Sequence, residues 1–129
     1  MRNSQHRFTN DGNAMPAIGF GVWQSRGDEL IGAVQCALDA GYRLVDTAAI
    51  YGNESEVGSA IKTAGVCRED IFITTKLWND RHDDVENAFN ESLTKLGCDY
   101  VDLYLIHWPV SGQNLFVSAW DAMIKLRDS

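Results

Sequence analysis

Four residues carry the chemistry of a proton-transfer site: Asp46, Tyr51, Lys76 and His107. Asp46 closes the apolar run Tyr42-Arg43-Leu44-Val45, and Tyr51 follows in "GYRLVDTAAIYGNE". Lys76 ends "IFITTK" and His107 ends "VDLYLIH". A free phenol titrates near about 10, too high for a good general acid at neutral pH, and an adjacent ammonium stabilises its anion. A desolvated ammonium in turn tends to lose its proton, which a neighbouring carboxylate opposes. In the resulting relay Asp46 holds Lys76 charged, Lys76 tunes Tyr51, and Tyr51 donates a proton. His107 orients a substrate oxygen by a hydrogen bond.

Each residue has a simpler reading when taken alone. An Asp after a strand serves as a helix cap or loop acid, a Lys there as a solvated cation, and a His in "HWP" as a satisfied core imidazole. Their coincidence at three consecutive strand ends favours the joint reading. Trp23, Trp78 and Trp108 each follow a strand end, where indoles either fill space beneath loops or line an apolar substrate pocket; the pocket is preferred.

Strands and helices must position these groups. Apolar, β-branched or aromatic runs at 17–22, 42–46, 71–76 and 101–107 read as parallel strands covered on both faces. Between them, Leu30, Ile31, Val34, Ala37 and Leu38 share a helical face, as do Val85, Ala88, Phe89, Ser92, Leu93 and Leu96, with Asp83 or Asp84 as N-cap. A shorter helix fits Glu54 to Ala64, and a fourth carries Phe116, Trp120, Met123 and Ile124, with Trp120 assigned to the core. Gly41, Gly65 and Gly97 sit where three of the helices should end. A hairpin over about 6–17, turning at Asp11-Gly12, precedes the series.

Alternating strands and helices specify an α/β fold with a parallel sheet. "GFGVWQ" lacks the third glycine of a dinucleotide-binding turn, which disfavours a doubly wound sheet and leaves the (β/α)8 TIM barrel. Such a barrel takes about 250 residues, so 129 residues with about four βα units make a half-barrel, a single partial domain. With the period of two along a strand, Asp46, Lys76 and His107 all face inward at the C-terminal ends, where such barrels place their catalytic groups.

The composition narrows the partners. Eleven Lys and Arg against 18 Asp and Glu give a net charge of -7, which argues against a nucleic-acid or anionic membrane surface. Cys36, Cys67 and Cys98 form neither a disulfide framework nor a zinc pattern; they are read as structural, and no metal site is expected. No signal-peptide profile or membrane-spanning run is present, so a cytoplasmic location is expected.

The stretches "GYRLVDTAAIYGNESEVG", "ITTKLW" and "YVDLYLIHWP" resemble the signatures of the aldo-keto reductase family, in its bacterial 2,5-diketo-D-gluconate reductase branch. The resemblance runs from the hairpin to Ser129. It implies a (β/α)8 barrel with the hairpin closing its bottom, and NADPH-dependent reduction of small aldehydes and ketones such as diketo sugar acids or methylglyoxal. It also implies that Tyr51, Asp46, Lys76 and His107 form the catalytic tetrad, with Tyr51 as proton donor. Gly21, Val22 and Asp46 match positions beside the nicotinamide ribose; Trp23, Tyr51, Trp78, His107 and Trp108 match positions around the substrate.

Residues that grip the rest of the cofactor fall outside the resemblance, so the 129 residues alone are expected to have little or no activity. An open half-barrel leaves two edges and an apolar inner face uncovered, which favours self-association. Two other readings stand beside the reductase. One is an aldolase-type barrel with Lys76 as Schiff-base nucleophile, and the other a non-catalytic half-barrel that serves as a binding or assembly module.

Overall fold

A computed structural model describes residues 5–129. The chain opens with a hairpin of β1 (His6–Phe8) and β2 (Ala14–Pro16), paired antiparallel. The turn forms where expected: Gly12 takes a φ of 85° and its N–H donates to the Thr9 carbonyl. The hairpin borders a small cavity of about 270 Å³ together with Arg43, Asp70, Phe72 and Asp102. It therefore lies against the N-terminal ends of the main strands, the end away from Asp46, Lys76 and His107.

Four strands follow, β3 (Phe20–Gly21), β4 (Leu44–Asp46), β5 (Phe72–Leu77) and β6 (Leu103–Ile106), each parallel to the next and ordered as in the sequence. Helices α1 (Gly27–Asp39), α2 (Glu54–Thr63) and α3 (Val85–Leu96) make the crossovers, and α4 (Phe116–Asp128) follows β6. A doubly wound sheet reverses its strand order at a switch point. This sheet never reverses, and α1, α2, α3 and α4 pack one on the next around it. The expected order of four βα units is thus present.

The strands are shorter than the apolar runs that announced them. Residues 17–19 lie outside β3: the Ala17 N–H continues the hairpin by donating to the Gln5 carbonyl, and Ile18 is exposed. Single ladder bonds still extend the pairing at its upper end: Val22 N–H to the Asp46 carbonyl, Thr47 N–H to Thr74, and His107 N–H to Leu77. These bonds hold the residues beyond each strand end in register.

Two apolar clusters support the sheet from its helix side. Leu30, Val34 and Leu38 of α1 and Val57, Ala60 and Ile61 of α2 bury Val45 and Ile73. Leu77 packs with Val85 and Ala88 of α3 and Ala119 and Met123 of α4. The helix α2 can approach α3 closely because of Gly58: a Cβ there would lie within 2.6 Å of the Leu96 carbonyl carbon. At the C-terminus of α3, Gly97 takes the left-handed φ of 64° that ends the helix.

Three expectations are corrected here. The inner face is not uniformly bare, since Leu44, Phe72 and Thr74 are buried; Gly19 lacks a side chain and Leu44 fills that space. On that face Leu105, on the edge strand β6, is the exposed large apolar residue among those described. Trp120 is 56% exposed rather than core, because α4 turns Ala119 and Met123 inward, against α3 and the strands β5 and β6, and leaves the Trp120 face uncovered. Cys36 and Cys67 are exposed and Cys98 is half-buried, all three as free thiols, so two of them fill no core space.

Gly58→Ala tests the α2–α3 contact. In an exposed helix this change stabilises by up to about 1 kcal/mol; here the Leu96 backbone must move, and a net loss of about 1–3 kcal/mol is expected in urea unfolding. Unchanged or increased stability would show that the helices can separate freely.

Candidate active site

Asp46 ends β4 opposite Thr74 of β5, two residues before Lys76. Asp46 and Lys76 therefore share a face but stand a step apart along neighbouring strands, a diagonal of about 8 Å between Cα atoms from strand rise and spacing. The lysine stem spans that diagonal. Its Nζ donates to both Asp46 carboxylate oxygens and to the Thr47 carbonyl, each at 2.9 Å. An ammonium has three protons, and these three acceptors can engage all of them. Lys76 is 13% exposed, whereas Asp46 keeps 37% of its side chain open to solvent.

Tyr51 arrives from a short 3-10 turn, Ala49–Tyr51, that ends at Gly52 in the left-handed conformation. Its ring lies under Lys76 Nζ, 5.3 Å from ring centre to nitrogen. With its protons directed at Asp46 and Thr47, Lys76 meets Tyr51 as a charge over the face of the ring. His107 stands across the site with its ring 5.9 Å from that of Tyr51 and nearly perpendicular to it. Burial first, and then the Lys76 charge, push the His107 imidazole below its ordinary value of 6.5, against a smaller opposing effect of Asp46. At neutral pH it is an uncharged ring able to donate one hydrogen bond. Its Nδ1 is buried without a partner, which leaves Nε2 as the nitrogen that can meet another molecule.

The structure brings Trp78 and Trp108 to His107, at 5.1 Å edge-on and 6.3 Å stacked. Trp108 and Trp23 are largely exposed, 59% and 68%. Trp23 joins none of these ring contacts among the described residues. The four ionisable or phenolic residues and two of the three indoles thus converge.

Gly21 pairs in register with Asp46, and a Cβ at Gly21 would meet nothing within 4 Å. The half-exposed carboxylate beside that open space is a fit for a ribose hydroxyl. Val22 fits less well than expected: its side chain is 1% exposed in the core. Its N–H donates to the Asp46 carbonyl and its carbonyl accepts from Asn53, so it offers a cofactor little beyond van der Waals contact. Among the described residues no cluster of His, Cys, Asp and Glu could hold a metal, and no helix is long and apolar enough to cross a membrane.

Thr47, Asn53 and Glu54 support the site and were not singled out from the sequence. Asn53 and Glu54 stand directly after "YG", where an Asn followed by a Glu reads as an ordinary helix start. Their burial is the signal that sequence alone did not carry.

The Aldo/keto reductase family model matches residues 17–129. Methylglyoxal reductase DkgA of Escherichia coli K12 is 56% identical over 117 residues, which cover 91% of this chain and 42% of that protein. An aldo/keto reductase from Brucella melitensis superposes with a TM-score of 0.91 at 54% identity, over 95% of this chain and 48% of that one. The Gox0644 mutant solved in complex with NADPH gives 0.88 at 41% identity, over 95% and 45%. The chain spans less than half the length of the curated relatives it matches.

The neutral imidazole has a measurable consequence. In an NMR titration His107 should protonate below the ordinary 6.5. Because the unfolded chain takes up that proton first, stability should fall as pH drops from 6.5 toward the native value. A His107 midpoint above 6.5 would contradict the geometry described.

Proposed function

The chain belongs to the aldo/keto reductase family, and from that premise we propose that it supplies the proton-transfer half of an NADPH-dependent reductase of small aldehydes and ketones. The observation that carries this reading is the fork at Lys76: an ammonium tied to Asp46 and Thr47, lying 5.3 Å from the Tyr51 ring centre. When bound, the nicotinamide supplies a hydride to the carbonyl carbon. As the C=O electron pair moves onto oxygen, the Tyr51 hydroxyl gives that oxygen its proton. The phenolate left behind is stabilised by the Lys76 charge and recovers a proton from water.

His107, neutral and with Nε2 available, donates to the carbonyl oxygen and fixes it before Tyr51. Trp78 and Trp108, beside that imidazole, form the apolar wall that keeps water from the reacting carbonyl. Gly21 leaves room for the nicotinamide ribose and Asp46 accepts from a ribose hydroxyl. Methylglyoxal and diketo sugar acids suit such a site, because each presents a small activated carbonyl. The three free thiols and the acidic surface fit a reducing cytoplasm.

The Schiff-base reading is disfavoured by the same fork. A nucleophilic amine needs a free lone pair, and Nζ is bonded as an ammonium to three acceptors. The 129 residues by themselves are proposed to turn over weakly and to associate through the open edges β3 and β6, which sedimentation of the chain reads directly.

A coupled NADPH-oxidation assay with methylglyoxal tests the reading. In the complete protein Tyr51→Phe should lower kcat by at least about 100-fold, within the range for removing a general acid, while cofactor affinity changes little. The 129-residue chain should show little turnover. Undiminished reduction by Tyr51→Phe would remove Tyr51 from the donor role.

A further inference from the structure

Asn53 holds the position from which an Asn side chain ordinarily caps a helix, directly before α2, yet it makes no cap bond. Its side chain is fully buried and spent elsewhere. Nδ2 donates to the Val22 carbonyl at 2.9 Å and the Ser25 carbonyl at 3.1 Å, and Oδ1 accepts from Thr47 Oγ1 at 2.7 Å. These partners lie on the loop after β3 and on the residue that follows Asp46. The Thr47 that reaches Asn53 through its hydroxyl also receives Lys76 Nζ on its carbonyl.

Glu54 behaves in the same way. A carboxylate in the first turn of a helix usually faces water and answers the helix dipole. Glu54 is instead 2% exposed and accepts from Thr75 Oγ1 at 2.6 Å. Thr75 is the residue before Lys76, on the opposite face of β5. Asn53 therefore ties the Tyr51 turn to β4 and to the loop after β3, and Glu54 ties it to β5. A buried amide and carboxylate are costly unless bonded. Neither serves the helix it begins.

From this we infer that Asn53 and Glu54 are positioning residues that set the placement of Tyr51 against Lys76. The inference rests on Tyr51 as the proton donor for its functional meaning. Tyr51 lies on a turn outside every strand, and its own backbone N–H bonds only within that turn, to the Ala48 carbonyl. The clamp formed by the next two buried side chains holds the turn at two independent points. Of the two, Asn53 bears the larger share, with three bonds against one.

The test uses Asn53→Asp, which keeps shape and the Thr47 acceptor but loses both donors, together with the milder Thr75→Val and the conservative Glu54→Gln. One readout needs no turnover: the His107 ring resonance in the complete protein, which senses the Tyr51 ring at 5.9 Å. Asn53→Asp and Thr75→Val should shift that resonance and lower kcat for methylglyoxal by about tenfold or more with KM within about twofold, the pattern of lost transition-state geometry. Glu54→Gln, which retains an acceptor for Thr75, should restore both to near wild type. If Asn53→Asp fails to fold, Thr75→Val against Glu54→Gln carries the same comparison. Variants that lose thermal stability yet keep the wild-type resonance and kcat would overturn the inference and leave a purely structural clamp. The resonance separates this failure from failure of the donor assignment: a moved Tyr51 with unchanged kcat would count against the donor role, not the clamp.

Discussion

The site depends on one partly buried contact, the Lys76 ammonium held between Asp46 and the Thr47 carbonyl. Removing a charge from water is costly, and an ion pair recovers that cost only when its remaining hydrogen-bonding groups are satisfied. Here the backbone carbonyl takes the proton that the carboxylate leaves over. Losing one partner of a fully buried pair costs about 3–5 kcal/mol; the 37% exposure of Asp46 makes the cost lower here. That same exposure leaves the carboxylate accessible to a second molecule.

The architecture follows from keeping that contact in register. Asp46 and Lys76 must sit on adjacent parallel strands with a fixed offset, and parallel strands require helical crossovers. The crossover α2 covers β4 and β5 with Val57, Ala60 and Ile61, and its first residue, Glu54, bonds to the residue before Lys76. The helix that closes the connection is thereby also a strut of the site. Gly58 lets α2 lie close to α3, so the neighbouring unit that delivers His107 packs onto the same frame.

Much of this was legible in the residues. The period of two placed Asp46, Lys76 and His107 on the inner face, and the glycines after the helices marked where each chain segment turns back. Less legible was anything decided by what lies beside an element. Trp120 carries an apolar side chain at helical spacing, but burial of that face requires a neighbour beyond α4, and α3 and β6 cover a face rotated from it. Asn53 and Glu54 resemble a helix start because local sequence cannot reveal a bond to Val22, 31 residues away, or to Thr75, 21 residues away. Cys36 lies within a helix yet on its outer side, which periodicity alone leaves ambiguous for a small residue.

The central claim is that the Lys76 charge, fixed by Asp46, stabilises negative charge developing on Tyr51 during reduction. Lys76→Met keeps most of the stem volume and removes the charge, so kcat for methylglyoxal in the complete protein measures that charge directly. The account predicts a loss of at least about 100-fold, the scale of a lost electrostatic stabiliser, with NADPH affinity changed far less. A kcat within a few-fold of wild type would contradict it.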